Sequence, residues 1–351
     1  MDGVEVRTLT DGGQPAVDTA HALASFIAAA EKTVEVAIYD LNLPPDLHDL
    51  VCGALTTASK RGVAVRLAYN LDHAREIPVP PPPATDPATV EAMPFPTAAI
   101  PGAPDLMHHK YVVRDRAAVW TGSTNWTLDS WTREENVIVR VESPPLAARY
   151  LEDFEQLWSS RRVAHSGKVD TTPVDPGVAA WFCPRRGEKL AHRIAGAIRS
   201  ARRRIRIASP VVSNGSILTA LAQVRSDGKI DLAGVVDATQ ISEVLFQWRQ
   251  NQEETGIPDA KGPLLRETLT GAPFSGKVTT PYAPGSVHDY MHAKVSVIDD
   301  TVFVGSFNLS HSGEMNAENV LEFNDPGVAD QCAAFIDAVR GRYPAVSLPS
   351  P

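Results

Sequence analysis

Three cysteines, Cys52, Cys183 and Cys332, are all that the 351 residues contain, and they lie far apart. An odd, scattered set without metal-like spacing excludes a disulfide framework and predicts free thiols in a reducing compartment. The sequence has no run of about 20 consecutive apolar residues, so no transmembrane anchor is expected. Its start, MDGVEVRTLTDGG, is acidic and lacks a long apolar stretch, so no signal peptide is expected and the chain reads as cytoplasmic. A basic excess is missing too: 33 Lys and Arg stand against 42 Asp and Glu, a net charge of −9. That works against a surface that tracks polyanions throughout, although a local basic groove would not show in the sum. What is present is 43% hydrophobic and 21% charged, the range of a globular protein long enough for two domains or one fused duplication.

The duplication is visible at residues 107–136, MHHKYVVRDRAAVWTGSTNWTLDSWTREEN, and again at 291–319, MHAKVSVIDDTVFVGSFNLSHSGEMNAEN. Each copy has His-x-Lys, four residues, then Asp: His108, Lys110 and Asp115, and His292, Lys294 and Asp299. Each then has Gly-Ser-x-Asn, with Ser123 and Asn125 in one and Ser306 and Asn308 in the other. Glu-Asn follows in both, Glu135-Asn136 and Glu318-Asn319, with Glu ten residues after the earlier Asn. Six residues separate Asp115 from Gly122 and only five separate Asp299 from Gly305, so the second turn is tighter.

The flanking pattern repeats as well. Helical periodicity at 17–30, a strand at 33–39, a helix at 47–61 and a strand at 63–69 give an α/β order. The second half answers with a helix at 187–201, a strand at 204–212, a helix and strand within 217–237, and a helix at 240–252 followed by a loop to 290. Helices at 145–158 and 328–341 close the halves. Residues 1–160 and 178–345 are thus two copies of one unit, joined by a polar linker at 161–177. Residues 71–105 hold ten of the 28 prolines, Pro80 to Pro83 in a row. They predict an extended, polyproline-like surface loop, or a rim that shapes access to His108.

Residues i and i+2 of a strand share a face, so His108 and Lys110 point one way and His109 the other. His109 also has no counterpart beside His292, so it is expected in the core or in support of the site. Two lysines and two asparagines converging suit an anion with several oxygens, which points to phosphate. Two imidazoles on opposite sides of phosphorus allow in-line displacement: one attacks, the other protonates the leaving oxygen, and water then releases a phosphohistidine. Each imidazole needs a partner on its other nitrogen, and Glu135 and Glu318 are the candidates.

HHKYVVRD…GSTN and HAKVSVID…GSFN resemble the two signature motifs of the phospholipase D superfamily, and REEN and NAEN are similar to its downstream acidic element. The resemblance covers essentially the whole chain. It implies a fused pseudo-dimer of α/β/α sandwich units with the active site between the halves, and a two-step reaction through a phosphohistidine without metal or other cofactor. It implies His108 as nucleophile and His292 as general acid. Lys110, Lys294, Asn125, Asn308, Ser123 and Ser306 would hold phosphate, and Asp115 and Asp299 would be structural supports.

Other features carry less. His288, His292 and His311 could suggest zinc, but the segment reads as loop then strand, which does not align such a pair. ARRRIR at 201–206 could touch polyanion, but also fits the cationic last turn of a helix leading into a strand. Trp120, Trp126 and Trp131 suit core packing as well as stacking on a ligand. Three functions stand: a phosphodiesterase acting on phospholipid head groups, which net acidity favours; a nuclease of the same superfamily; and a non-catalytic scaffold, against which two intact motifs argue.

Overall fold

The computed structural model describes residues 3–71, 85–255, 260–280 and 288–348. The first half runs β1 (Val4–Leu9), α1 (Ala16–Ala28), β2 (Thr33–Ile38), β3 (Leu41–Asn42), α2 (Pro45–Lys60), β4 (Ala64–Leu71), α3 (Pro87–Glu91) and β5 (Thr97–Pro101). It continues with β6 (Lys110–Arg114), β7 (Ala118–Gly122), β8 (Trp126–Thr127), α4 (Leu128–Thr132), β9 (Asn136–Glu142) and α5 (Pro144–Ser160). The second half runs β10 (Ala179–Phe182), α6 (Gly187–Ser200), β11 (Arg204–Ser209), α7 (Gly215–Asp227), β12 (Asp231–Asp237), α8 (Ala238–Thr255), α9 (Lys261–Leu269) and β13 (Phe274–Lys277). It ends with β14 (Val295–Ile298), β15 (Thr301–Gly305), α10 (His311–Met315), β16 (Asn319–Asn324) and α11 (Pro326–Arg340).

Each half builds a seven-stranded sheet, in the orders β1-β9-β7-β6-β2-β4-β5 and β10-β16-β15-β14-β11-β12-β13. The orders match strand for strand, and in both sheets only the last three strands are mutually parallel. The chain is therefore a tandem duplication of one α/β unit. Helices α1 and α2 cover the outer face of the first sheet, where Trp120, Trp126 and Trp131 are core residues. Helices α6 and α7 cover the outer face of the second. Helices α5 and α11 lie between the sheets in a single apolar layer shared by both halves, with Tyr150, Phe154, Phe182, Phe323 and Phe335 among its residues. Each fully buried phenylalanine there stabilises by roughly 2 kcal/mol, so the halves are joined by a core rather than by their connection. The segment 161–177 shares in that layer through Val163 and Val169, and Gly167 N donates to the buried Asp153 at 2.8 Å.

The two helices start alike because their sequences do. Ser143 and Asp325 cap them, each accepting from the backbone three residues on, and a proline follows in the first turn.

Several expectations need correction. Edge strands β1 and β10 add a strand to each sheet that periodicity did not reveal. Their partners lie more than a hundred residues away, and β1 is largely half-exposed. Residues 85–105, expected as open loop, contain α3 and β5, and β5 pairs in parallel with β4. Pro101 ends that strand at the edge of the sheet, where no further neighbour needs its N–H. Pro80 to Pro83 fall outside the described residues. The loop expected up to 290 likewise contains α9 and β13, the counterpart of β5. Three of the four arginines of the ARRRIR run are paired within the fold: Arg203 with Asp300, Arg204 with Asp330, and Arg206 with Asp231 and Asp337.

Asp115 and Asp299 play one structural part twice. Asp115 accepts from the backbone N–H of Glu31, Lys32 and Thr33 at 2.6–3.1 Å. Asp299 accepts from Arg202, Arg203 and Arg204 at 2.8–3.1 Å. Both sit at left-handed φ, 54° and 53°, so the shorter second turn leaves the role intact. Partial burial pushes both carboxyls up, but the backbone donors outweigh it and hold them below the ordinary value. The stability they contribute is therefore present above the unfolded pKa and lost as pH falls through the folded one. Replacing either by alanine should cost roughly 2 kcal/mol, seen as a lower urea midpoint with unchanged slope. A loss at one aspartate only would contradict their equivalence.

Candidate active site

Each motif enters its sheet in the same way. Met107 N donates to Asn70 at the end of β4, at 3.0 Å, and Met291 N donates to Asp237 at the end of β12, at 3.1 Å. Both methionines are fully buried, which anchors the histidine that follows. Met107 also bridges to Ala317, and Met291 to Glu135, so each motif docks against the strand entry of the opposite half. His108 N donates to Ala317 O at 2.9 Å across this seam.

The lysines behave alike. Lys110 Nζ donates to His108 O at 2.7 Å, and Lys294 Nζ to His292 O at 2.6 Å. Lys110 also lies over the Tyr39 ring at 4.7 Å, and that ring meets the His108 imidazole edge-on. Burial holds the His108 and His292 imidazoles well below their ordinary pKa, and both lysines push further in the same direction. The bridges of Met107 to Ala317 and of Met291 to Glu135, with the cross-half contacts of both imidazoles, set the two His-x-Lys segments at the seam between the halves. Burial brings Lys110 down to about 7 against the pull of Glu318. Burial and the neighbouring Lys110 bring Lys294 well below its usual range. Burial and mutual repulsion disfavour the charged forms of both lysines, a penalty that a nearby anion would relieve.

The partners of the imidazoles differ between the halves. His108 Nδ1 is met at 2.9 Å by both oxygens of Glu318. His292 Nδ1 is met at 3.1 Å by Asn136 Oδ1, with a Glu134 oxygen at 3.3 Å. Glu135, the expected partner of His292, is elsewhere. Its carboxylate receives Lys277 Nζ at 2.9 Å and the Tyr343 hydroxyl at 2.5 Å, both from the other half. The cause is strand register. Gly122 pairs with Ile138, whereas Gly305 pairs with Val320. Likewise Ser123 N donates to Val137 O, but Ser306 N donates to Asn319 O. The first copy has one more residue between its glycine and that glycine's partner on the next strand, so Asn136, not Glu135, occupies the place of Glu318. A one-residue offset reverses which side chains face the site. Glu134, two residues before Asn136, shares its face; it is the residue that sequence reasoning missed. No local count separates it from Glu135, because in both copies the Glu-Asn pair runs directly into the first valine of the strand.

Ser123 and Ser306 lie beneath these residues. Ser123 Oγ donates to Asn136 Oδ1 at 2.7 Å, and the Ser306 hydroxyl bonds to Glu318. Both hydroxyls are thus committed to the groups that hold the imidazoles. Asn125 and Asn308 each keep a buried side-chain oxygen with no protein partner, the same orphan in both halves. His109 faces away, fully buried, with Nδ1 at 3.2 Å from Asn319 Oδ1 and Nε2 at 3.0 Å from Asp153. His311 is paired with Glu314 on the surface. Among the described residues no group of three or more His, Cys, Asp or Glu side chains is placed to hold a metal ion. No described helix is long and apolar enough to cross a membrane.

Burial brings Lys110 down to about 7, so its charge is lost as pH rises above that value. A bound dianion favours the charged form and raises that pKa, so binding should take up protons. Titration calorimetry of sulfate at pH 8, repeated in buffers of different ionisation enthalpy, should report uptake. The uptake should shrink in Lys110→Met. A buffer-independent enthalpy would contradict the placement of the lysines around the anion.

The family described as "Cardiolipin synthase, PLD-like domain" matches residues 23–158 and 194–340, one copy in each half. The mitochondrial cardiolipin hydrolase of Xenopus tropicalis is 25% identical over 150 residues, covering 41% of this chain and 63% of that protein. The human protein of the same name is 38% identical over 56 residues, covering 16% of this chain and 22% of its own length. The chain thus spans less than two thirds of the length of these relatives. Phosphatidylserine synthase from Haemophilus influenzae Rd KW20 superposes with a TM-score of 0.64 at 12% identity, over 97% of this chain and 86% of that one. Polyphosphate kinase from Porphyromonas gingivalis superposes with a TM-score of 0.60 at 12% identity, over 95% of this chain and 46% of that one. At such identity these structures share the fold. With the family matched in both halves and its duplicated motif at the centre of each, the chain belongs to the PLD-like domain family of the phospholipase D superfamily.

Proposed function

We propose that this protein is a phospholipase D-type phosphodiesterase that cleaves phospholipid through a covalent phosphohistidine. One observation carries the reading: two buried imidazoles, each held on Nδ1 by the opposite half, stand at one locus with two buried lysines. An acceptor on Nδ1 keeps the proton there and leaves Nε2 for chemistry. His108 Nε2 attacks phosphorus, and the phosphorus–oxygen bond to the leaving alcohol breaks. His292, protonated on Nε2, gives that proton to the departing oxygen. Neutral His292 then takes a proton from water, which attacks phosphorus and releases His108. Lys110, Lys294, Asn125 and Asn308 bind the non-bridging oxygens, whose charge grows in each transition state. Asp115 and Asp299 act at a distance, by fixing where the motif strands end.

Phospholipid is favoured over nucleic acid for three reasons. The chain carries a net charge of −9. Three of the four arginines in its densest basic run are spent on internal ion pairs. The matching family and relatives are named for cardiolipin chemistry. A nuclease with the same residues is the second reading.

Turnover of cardiolipin and phosphatidylcholine vesicles should be compared with that of single-stranded DNA and RNA, all in excess EDTA. Lipid turnover is expected; turnover of nucleic acid alone would overturn the substrate class. Rapid quenching after mixing His292→Ala with a phosphodiester should leave phosphate on His108, and His108→Ala should leave none. The opposite labelling would exchange the two roles.

A further inference from the structure

The unequal partners of the two imidazoles have a consequence for their roles. Asn136 is held in one orientation. Its Nδ2 donates to Ser130 O at 3.1 Å and to Glu134 Oε2 at 3.2 Å, while Ser123 Oγ donates to its Oδ1. The amide cannot turn over without losing all three bonds, so Oδ1 faces His292 and His292 Nδ1 must be the donor. Glu134 is itself pinned: Ser130 Oγ donates to the same Oε2 at 2.6 Å. That same oxygen stands 3.3 Å from His292 Nδ1, beyond the 3.1 Å of the amide oxygen and already engaged by two donors, and Glu134 is buried. On the other side no amide takes part, and Glu318 meets His108 Nδ1 with both oxygens at 2.9 Å.

We propose that Asn136 and Glu134 form a two-residue substitute for the single carboxylate that backs His108, and that this substitute sets His292 as the acid and His108 as the nucleophile. The proposal rests on the phosphodiesterase reading above. A carboxylate with both oxygens in close contact stabilises an imidazolium more than a neutral amide oxygen joined by one longer contact to a carboxylate oxygen that two other donors already share. His108 is therefore the more basic and more nucleophilic ring. His292 gives up its Nε2 proton more readily, as the leaving oxygen requires. The other charged groups facing His292 are Lys294, Lys110 and His108. All three push its proton off, so the backing residues are what oppose them. Glu135, engaged with Lys277 and Tyr343, contributes nothing directly to this balance. Asn136 and Glu134 are positioning residues, since they act on substrate only through His292.

The test exchanges the two groups at constant net charge. In Glu134→Gln/Asn136→Asp the nearer acceptor on Nδ1 becomes a carboxylate and the longer contact an amide, closer to what Glu318 gives His108. With isotope-labelled histidine, an NMR titration should show the His292 midpoint raised by about one pH unit or more. The alkaline limb of kcat for bis(p-nitrophenyl) phosphate should move up by the same amount, with KM little changed. A His292 midpoint equal to that of wild type would overturn the proposal. Should the double variant fail to fold, Glu134→Gln alone keeps every hydrogen-bonding shape and removes the charge. It must then lower the midpoint, and an unchanged midpoint is again fatal. A shifted midpoint with an unmoved kinetic limb would leave the pairing standing and refute His292 as the acid, which is a failure of the reaction mechanism alone.

Discussion

Each imidazole of this protein is held on Nδ1 by an acceptor from the opposite half, and much of the architecture serves to make those two contacts. Glu318 reaches His108 only because β16 enters its sheet beside Met107, and Asn136 reaches His292 only because β9 enters beside Met291. The apolar layer of α5 and α11 brings the sheets close enough for both. Without it, neither half would contain an oriented histidine. The backbone bonds from Asp115 and Asp299 fix the far ends of the same strands. The site is thus positioned from both ends of β6 and β14 and from across the seam.

The price of that arrangement is a set of ionisable groups buried in close company. Lys110 and Lys294 repel each other, and Glu134 and Glu318 are both pushed up to about 7 by burial, against the pull of the groups around them. A polar site of this kind is maintained against stability by the surrounding core. An anion between the lysines relieves the repulsion, which ties recognition of phosphate to the same burial that depresses both imidazoles. The other cross-seam network, Glu135 with Lys277 and Tyr343, is neutral in balance and satisfied in hydrogen bonding. It reads as a clasp that holds the start of β9 in register.

Much of this was legible from residues alone. His-x-Lys-x4-Asp followed by Gly-Ser-x-Asn, twice, marks the duplication, the paired halves and the histidines that matter. The two-residue strand period separates His108 from His109, and the structure buries His109 on the other side against Asp153. Less was legible where pairing is remote. β1, β10, β5 and β13 are recognisable chiefly by their partners, and a short strand at a sheet edge has little periodicity of its own. The Glu-Asn pairs misled for a related reason. Identical dipeptides at equal distance from Asn125 and Asn308 invite one alignment, while the ladders impose another.

The sequence by itself determined the duplication, the family and the identity of the four groups at the centre, because those depend on residue type and short-range spacing. Only the tertiary structure decided which carboxylate backs which imidazole. A strand has two faces, and a one-residue shift in how β9 pairs with β7 turns Glu135 away from His292 and Glu134 and Asn136 toward it. That choice is made by hydrogen-bond pairing with a neighbouring strand, a contact no local pattern encodes.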